Sequence, residues 1–259
     1  MAVGKRVLIT GVSGQIGGVV HEALVGEHDV SGIDIRKADG FESTVADMTD
    51  LEAIQSAFEG IDTVIDLANS PQGNLPWHAT YRNNIPAIYN ALEAAKRARV
   101  KRVIFASSNR ASENYELDQP YSNICAGDYT GLEPGKFPMV TPDMPVRPSG
   151  PYGIAKAMGE AAGRYFSDRH GLSVICLRFG TVRPDSKPAN VRHFATIFSH
   201  RDLAHLVERC VVAPDSLRFA TFFGVSNNTW RFWDISNAKE LVGFDPQDNM
   251  ETYRAGFQG

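Results

Sequence analysis

The chain has 259 residues, of which 43% are hydrophobic and 22% are charged, as is typical of a folded globular protein. This composition excludes disordered, collagen-like and coiled-coil proteins. The formal net charge of -4 gives no electrostatic reason to expect a nucleic acid or an anionic membrane as a partner.

The start of the chain and its cysteines indicate the compartment. The sequence passes directly into a strand-like run without a signal segment, and no apolar run approaches the roughly 18 residues of a membrane span. Cys125, Cys176 and Cys210 are odd in number and far apart, so they predict neither a disulfide framework nor a zinc site. We therefore expect a soluble, cytoplasmic protein that does not contact a membrane.

Strand and helix patterns alternate over the first two thirds of the chain. Continuous apolar runs predict strands buried on both faces at 7–9, 63–65, 103–105 and 174–177, and residues 30–35, interrupted by Gly32, form a weaker strand pattern. Apolar residues at helical spacing predict helices near 16–24, 51–58, 85–98 and 152–169, the second behind a Thr49-x-x-Glu52 capping box. This alternation predicts an α/β fold, a Rossmann-like doubly wound parallel sheet with helices on both faces.

Two regions interrupt the alternation. Residues 109–150 contain six prolines and three tyrosines, which favours a packed lid over a site rather than a loose linker. Residues 181–259 contain one clear helix, 201–210, behind a Ser199-x-x-Asp202 capping box. We expect residues 1–180 to form a nucleotide-binding domain that includes the lid, and residues 181–259 to form a small substrate-binding portion.

A glycine turn lies between the first predicted strand and the first helix. Gly11, Gly14 and Gly17 would let the backbone approach a pyrophosphate at the helix N-terminus, although three glycines also suit a tight turn alone. Asp34 ends the second predicted strand, near the distance expected for a carboxylate that binds the adenosine ribose. A carboxylate there repels a 2′-phosphate, which favours NAD over NADP, while the basic Arg36 keeps NADP open.

Three further residues form a pattern that is typical of proton transfer. Tyr152 and Lys156 share one face of a predicted helix, where the ammonium and an oxidised nicotinamide would favour the phenolate and lower the pKa of the phenol. Ser108 ends the strand before the lid, at the edge where such sheets bind ligands. Its hydroxyl would hold a substrate oxygen beside Tyr152, or would serve as a polar cap of the strand end.

In this order the elements resemble the extended short-chain dehydrogenase/reductase family, in its NAD-dependent epimerase/dehydratase branch. The resemblance covers nearly the whole chain and implies that Ser108, Tyr152 and Lys156 are the catalytic triad and that NAD is the cofactor. The cofactor-binding residues predicted from the pattern and the resemblance together are Gly11, Gly14, Gln15, Ile16, Gly17, Asp34, Arg36, Asp47, Met48, Leu67, Ala68, Asn69, Asn84, Tyr152 and Lys156.

Four short segments narrow the resemblance. They are FASSN at 105–109, PVRPS at 145–149, IFSHRD at 197–202 and GVSNN at 224–228, and they look like the uronate dehydrogenases and the archaeal NAD-dependent glucose-6-phosphate dehydrogenases. The implied sugar-binding residues are Ser108, Asn109, Arg110, Thr181 and Arg192, with Arg192 facing an anionic group of the sugar. Arg110 stands where these enzymes usually have histidine, which leaves a more anionic sugar or a different one open.

The resemblance implies a function. We expect NAD-dependent oxidation of the anomeric hydroxyl of a sugar acid, sugar phosphate or aldose to a lactone. The alternatives are a nucleotide-sugar epimerase or dehydratase in which NAD cycles, and a dinucleotide sensor without catalysis. We also expect a homodimer, and no metal site at the histidines His193, His200 and His205.

Overall fold

The computed structural model describes residues 4–38, 40, 42–70 and 76–257 of the chain. Within them, seven parallel strands form one sheet in the order β3-β2-β1-β4-β5-β6-β7. The strands are β1 (Arg6–Thr10), β2 (Asp29–Asp34), β3 (Ser43–Val45), β4 (Thr63–Asp66), β5 (Arg102–Ser108), β6 (Ser173–Phe179) and β7 (Phe219–Gly224). The strand order reverses direction between β1 and β4, as in a Rossmann fold. The predicted fold class is confirmed.

Helices cover both faces of this sheet. They are α1 (Gln15–Leu24), α2 (Leu51–Ile54), α3 (Trp77–Arg97), α4 (Tyr121–Ala126), α5 (Pro151–His170), α6 (His193–Thr196), α7 (His200–Val211) and α8 (Ser236–Val242). α2, α3 and α5 pack on one face, with Leu92 and Phe166 in that core. α1 and α7 pack on the other face, with Val20 and Leu206 in its core. Because helices cover both faces, a strand such as β5 is buried on both sides, which explains its mostly apolar sequence.

Local differences from the predicted elements have identifiable causes. The predicted cap at Thr49 is wrong, because α2 begins one residue later and the carboxylate of Asp50 accepts the N–H of Ala53 at 3.1 Å. The regular helix also ends at Ile54 and continues as a short 3₁₀ helix. β3 and β7 were not predicted. The cap of α7 is confirmed, since the Ser199 hydroxyl accepts the N–H of Asp202.

The lid, residues 109–150, is folded against the rest of the molecule. It contains two 3₁₀ helices (Asn109–Ala111 and Glu113–Leu117) followed by α4. Its Tyr129 stacks on Trp230 with ring centroids 4.0 Å apart, and its Val140 forms a β-bridge with Trp233. The three aromatic residues Trp230, Phe232 and Trp233 thus pack beneath the lid.

The C-terminal segment contributes to the sheet layer. α7 covers one face and β7 pairs with β6 along the sheet edge, although both lie beyond residue 180. A division into a nucleotide-binding domain and a substrate-binding portion stays a prediction. No helix among the described residues is long and apolar enough to cross a membrane.

Candidate active site

A cavity of about 870 Å³ lies along the carboxyl ends of the strands, across the point where the strand order reverses. Every residue predicted to bind the cofactor or the sugar lines this cavity. Its lining runs from the glycine turn and Asp34 at one end to Arg110, Thr181 and Arg192 at the other. We refer to these as the cofactor end and the sugar end. The individual binding roles remain predictions.

The glycine turn is fixed by backbone packing. Gly11 has a φ of +68°, and a Cβ at this position would lie 2.9 Å from the Cα of Ala68. Beneath the turn, the Thr10 hydroxyl donates to Asp66 at 2.7 Å and accepts the N–H groups of Leu67 and Ala68 at 3.1 and 3.0 Å. The ends of β1 and β4 are therefore held together where α1 begins, and no side chain caps the N-terminus of α1.

Asp34 links the end of β2 to this turn. Its Oδ2 accepts the N–H of Ser13 at 3.0 Å and its Oδ1 accepts the N–H of Arg36 at 3.3 Å. A carboxylate has about four acceptor positions, so both oxygens retain capacity for hydroxyl donors. This is the arrangement that ribose hydroxyls require.

The floor of the cofactor end contains a buried acceptor without a partner. Asn69 donates to the carbonyl of Ala68 at 2.7 Å, but its Oδ1 has no hydrogen-bond partner among the described residues. Nearby, Asn84 is fully buried and its Oδ1 accepts the N–H of Ser70 at 3.2 Å. An unpaired buried acceptor is unfavourable unless a ligand supplies a donor. The glycine turn, Asp34 and Asn69 together fit a dinucleotide.

The first turn of α5 brings the predicted catalytic residues to the cavity. Pro151 begins the helix, Tyr152 follows, and Lys156 lies one turn further on. A Cβ at Gly153 would lie 2.2 Å from the carbonyl oxygen of Arg110, so glycine allows the helix start to pack closely on the segment after β5. That packing places Tyr152 beside the residues that follow Ser108.

Lys156 is buried and anchored. Its Nζ donates to the carbonyl of Ala106 at 2.6 Å and lies 5.4 Å from the ring centroid of Tyr152. Burial lowers the pKa of Lys156 to about 8, and the charges of Asp66 and Glu160 oppose that change. The ammonium is thereby held at the floor of the cavity.

The environment of Tyr152 differs from the expectation drawn from the sequence. Burial raises the pKa of this phenol to about 12, and the charge that opposes the rise is Arg110 rather than Lys156. At this phenol the loss of solvation outweighs the attraction of nearby cations, and a lowering of its pKa by Lys156 together with a bound nicotinamide stays a prediction.

A buried ion pair supports the catalytic end of β5. Ser107 donates to Glu160 at 2.6 Å, and Arg178 donates to the same carboxylate from Nε at 2.9 Å and Nη2 at 2.8 Å. The next residue, Ser108, accepts the N–H of Arg110 at 3.2 Å and donates to Asn109 at 3.2 Å. The network fixes the strand from which the Ser108 hydroxyl faces the cavity.

Arg192 does not have the surroundings that the sequence predicted. The resemblance implies that Arg192 faces an anionic group of the sugar, but its guanidinium forms a two-pronged ion pair with Glu116, both contacts at 2.6 Å. A second carboxylate, Glu113, accepts from it at 3.1 Å. No sequence pattern connects either glutamate with Arg192, because that arginine lies 76 residues after Glu116 and 79 after Glu113.

Other lining residues were also missed. They include Ser70, Asn83, Val182 and His193. His193 Nδ1 accepts the N–H of Ala189 at 3.0 Å, and burial together with the charges of Arg192 and Arg183 lowers its pKa to about 4. In the described part of the chain no three metal-ligating side chains come together.

Comparisons with known proteins bear on this site. Residues 7–212 match the NAD dependent epimerase/dehydratase family. The chain belongs to this family. The predicted family and its NAD cofactor are therefore confirmed.

Three individual proteins are similar to the chain over nearly its whole length. L-arabinose 1-dehydrogenase (NAD(P)(+)) of Haloferax volcanii is 33% identical, over 95% of this chain and 98% of that protein. NAD-dependent glucose-6-phosphate dehydrogenase of the same organism is 32% identical, over 96% of this chain and 95% of that protein. A mutant uronate dehydrogenase from Agrobacterium tumefaciens, solved in complex with NAD, is 30% identical with a TM-score of 0.81, covering 97% of this chain and 88% of that one.

Proposed function

We propose that this member of the family is an NAD-dependent dehydrogenase that oxidises the anomeric hydroxyl of a sugar to a lactone. The observation that carries the proposal is one cavity shared by the glycine turn, Asp34 and the Ser108–Tyr152–Lys156 set. The similarity to dehydrogenases of three different sugars, each over nearly its whole length, supports the substrate class.

The chemistry requires one proton and one hydride to leave the sugar. Bound NAD supplies the hydride acceptor and a positive charge that favours the phenolate. Tyr152 takes the proton of the anomeric hydroxyl, and the Ser108 hydroxyl orients the same oxygen and donates to it as the carbonyl develops. Lys156, anchored on Ala106, adds a fixed cation beneath the phenol. The products are a lactone, NADH and a proton.

Asp34 supports NAD rather than NADP as the preferred cofactor. Its carboxylate lines the cavity beside the glycine turn, where a 2′-phosphate would meet a negative charge. Arg36 lines the same end and is the residue that would accommodate a 2′-phosphate. Asp34 and Arg36 thus act in opposite directions, so NAD should be preferred over NADP without excluding it.

The epimerase interpretation is less supported. The three relatives described above are all named as dehydrogenases, and this chain matches two of them over 95% or more of their length. A sensor without catalysis would not require Ser108, Tyr152 and Lys156 to meet in one cavity, as they do here.

The proposal extends to a homodimer that forms through α3 and α5. These helices pack against each other, and they expose large apolar side chains, among them Tyr81 (58% exposed), Met158 (46%) and Tyr165 (50%). Sedimentation of the protein at micromolar concentration, with Met158→Glu as the weakened variant, tests the dimer. A cytoplasmic location stays a prediction.

NADH formation tests the function directly. The purified protein is given NAD or NADP with free aldoses, uronic acids and sugar phosphates, and absorbance of the reduced cofactor is followed. NADH release with at least one sugar is expected, with a lactone or its hydrolysed acid as product. Bound NAD without net NADH release from any sugar would contradict the dehydrogenase and favour a cycling cofactor.

A further inference from the structure

The guanidinium of Arg192 is fully used within the protein. An arginine has five N–H donors. Nε donates to Glu116, Nη2 to Glu113 and Glu116, and Nη1 to the hydroxyls of Thr181 at 3.2 Å and Thr196 at 3.4 Å. A carboxylate or phosphate of a substrate could engage Arg192 only by displacing one of these acceptors.

Both carboxylates are themselves held in place. The Glu113 carboxylate also accepts the hydroxyl of Ser149 and lies 3.5 Å from Nη1 of Arg110. Glu116 is 12% exposed at its side chain and accepts both prongs of the Arg192 fork. Two arginines and two glutamates thus face one another at the sugar end, and their charges cancel.

The remaining charged groups near the sugar end do not add a net positive charge. His193 is held neutral by its buried position, and Arg183 is paired with Asp185 at 3.2 Å. Lys156 lies at the floor of the cavity, where the negative charges of Asp66 and Glu160 act on it. Arg110 keeps unpaired donors, but its side chain is 38% exposed and its nearest carboxylate is Glu113.

We propose that Glu113 and Glu116 determine the substrate class by neutralising Arg192, so that the sugar end takes an uncharged aldose in preference to a uronic acid or a sugar phosphate. An anionic sugar would bring its charge against Glu113 at the cavity wall, where the two arginines and two glutamates leave no net positive charge to compensate it. The hydroxyls of an aldose instead meet carboxylate and amide acceptors, which Glu113 and Asn109 provide. This inference rests on the proposed sugar dehydrogenase function.

The first experiment compares matched sugars on the wild-type protein. An aldohexose, its uronic acid and its 6-phosphate share one ring configuration and differ only at C6, so kcat/KM for each reports on the group at that carbon, and a disadvantage shared by both anions points to their charge. We expect the uncharged sugar to exceed both anions by at least about tenfold. Equal or better turnover of either anion overturns the inference and leaves the proposed function intact. No NADH from any sugar, with NAD binding intact, overturns both.

The second experiment releases Arg192. Glu116→Gln keeps the size of the side chain and removes its charge, so Arg192 gains a net positive charge. We expect the ratio of kcat/KM for the uronic acid over the aldose to rise at least about tenfold, mainly through a lower KM for the uronic acid. NAD binding should be unchanged, because Glu116 lies outside the cofactor end.

Matched variants keep this test decisive. Glu133→Gln, in the same lid but exposed and paired only with Lys136 on the surface, should leave the ratio at its wild-type value. Glu113→Gln should move the ratio in the same direction as Glu116→Gln, and it replaces that variant if Glu116→Gln does not fold. A ratio that stays constant in a folded variant that binds NAD contradicts the role of the glutamates.

Discussion

The cofactor end and the sugar end of the cavity are built by different means. At the cofactor end, backbone groups and strand register set the geometry: Gly11 packs on Ala68, and Asp34 accepts the N–H groups of Ser13 and Arg36. At the sugar end, long side chains from distant segments meet in ion pairs, as Arg192 does with Glu116. The backbone therefore sets the geometry of the cofactor end, whereas the charges of individual side chains set the environment of the sugar end.

Removing the phenol of Tyr152 should have the largest effect on activity, because this group lies where the cofactor end and the sugar end of the cavity meet. We expect Tyr152→Phe to lower kcat by about 10²–10⁴-fold while NAD binding persists, since the ring stays and the proton acceptor is lost. NADH formation and cofactor titration on the same sample measure both. Tyr121→Phe, a buried lid tyrosine outside the cavity lining, is the matched control. Full turnover by Tyr152→Phe would remove this residue from the mechanism.

The buried ion pair between Arg178 and Glu160 should contribute more to stability than an exposed pair does. Glu160→Ala leaves the buried Arg178 without its carboxylate and should lower the free energy of unfolding by about 3–5 kcal/mol. The exposed pair Arg164–Asp168 on the same helix provides the contrast, and Asp168→Asn should cost at most about 0.5 kcal/mol. Urea unfolding measures both. Similar losses in the two variants would mean that burial of the pair is unimportant.

The same contrast explains what the sequence could predict. The order of strands and helices, the glycine turn and the residues Ser108, Tyr152 and Lys156 depend on local patterns, and the structure places them at one cavity. The short edge strand β3 (Ser43–Val45) is mostly exposed and has no apolar pattern, so it was missed. The pairing of Arg192 with Glu113 and Glu116 depends on how the lid folds, which no local pattern encodes.

At the cofactor end, a substitution of Asp34 should have a smaller effect, on the preference between NAD and NADP. Asp34→Asn removes the negative charge beside the glycine turn and should raise the kcat/KM with NADP relative to NAD by about tenfold, equivalent to roughly 1.4 kcal/mol. Arg36→Ala should act in the opposite direction by removing the nearby cation. Parallel assays with the two cofactors at one sugar concentration measure the ratio. A ratio unchanged in Asp34→Asn would show that the carboxylate does not read the ribose.

At the sugar end, His193 should make stability depend on pH. Its pKa lies at about 4 in the folded protein, below the ordinary value of 6.5, so the folded state favours the neutral ring. Its contribution is therefore complete above pH 6.5 and is lost as the pH falls toward 4, by about 1.4 kcal/mol for each unit of the difference in pKa. The measurement is the free energy of unfolding in urea at pH 7 and pH 5, for wild type and His193→Gln.

The wild type should lose more stability than His193→Gln between these two pH values, and the exposed His78→Gln should behave as the wild type does. Asp66, whose pKa burial raises to about 6, contributes with the opposite sign, because the folded state then binds its proton more tightly. That contribution is common to all three proteins and cancels in the difference between them. Parallel pH dependences for wild type and His193→Gln would show that the buried imidazole is as easily protonated as one in water, and the sugar end would then gain a positive charge at mildly acidic pH.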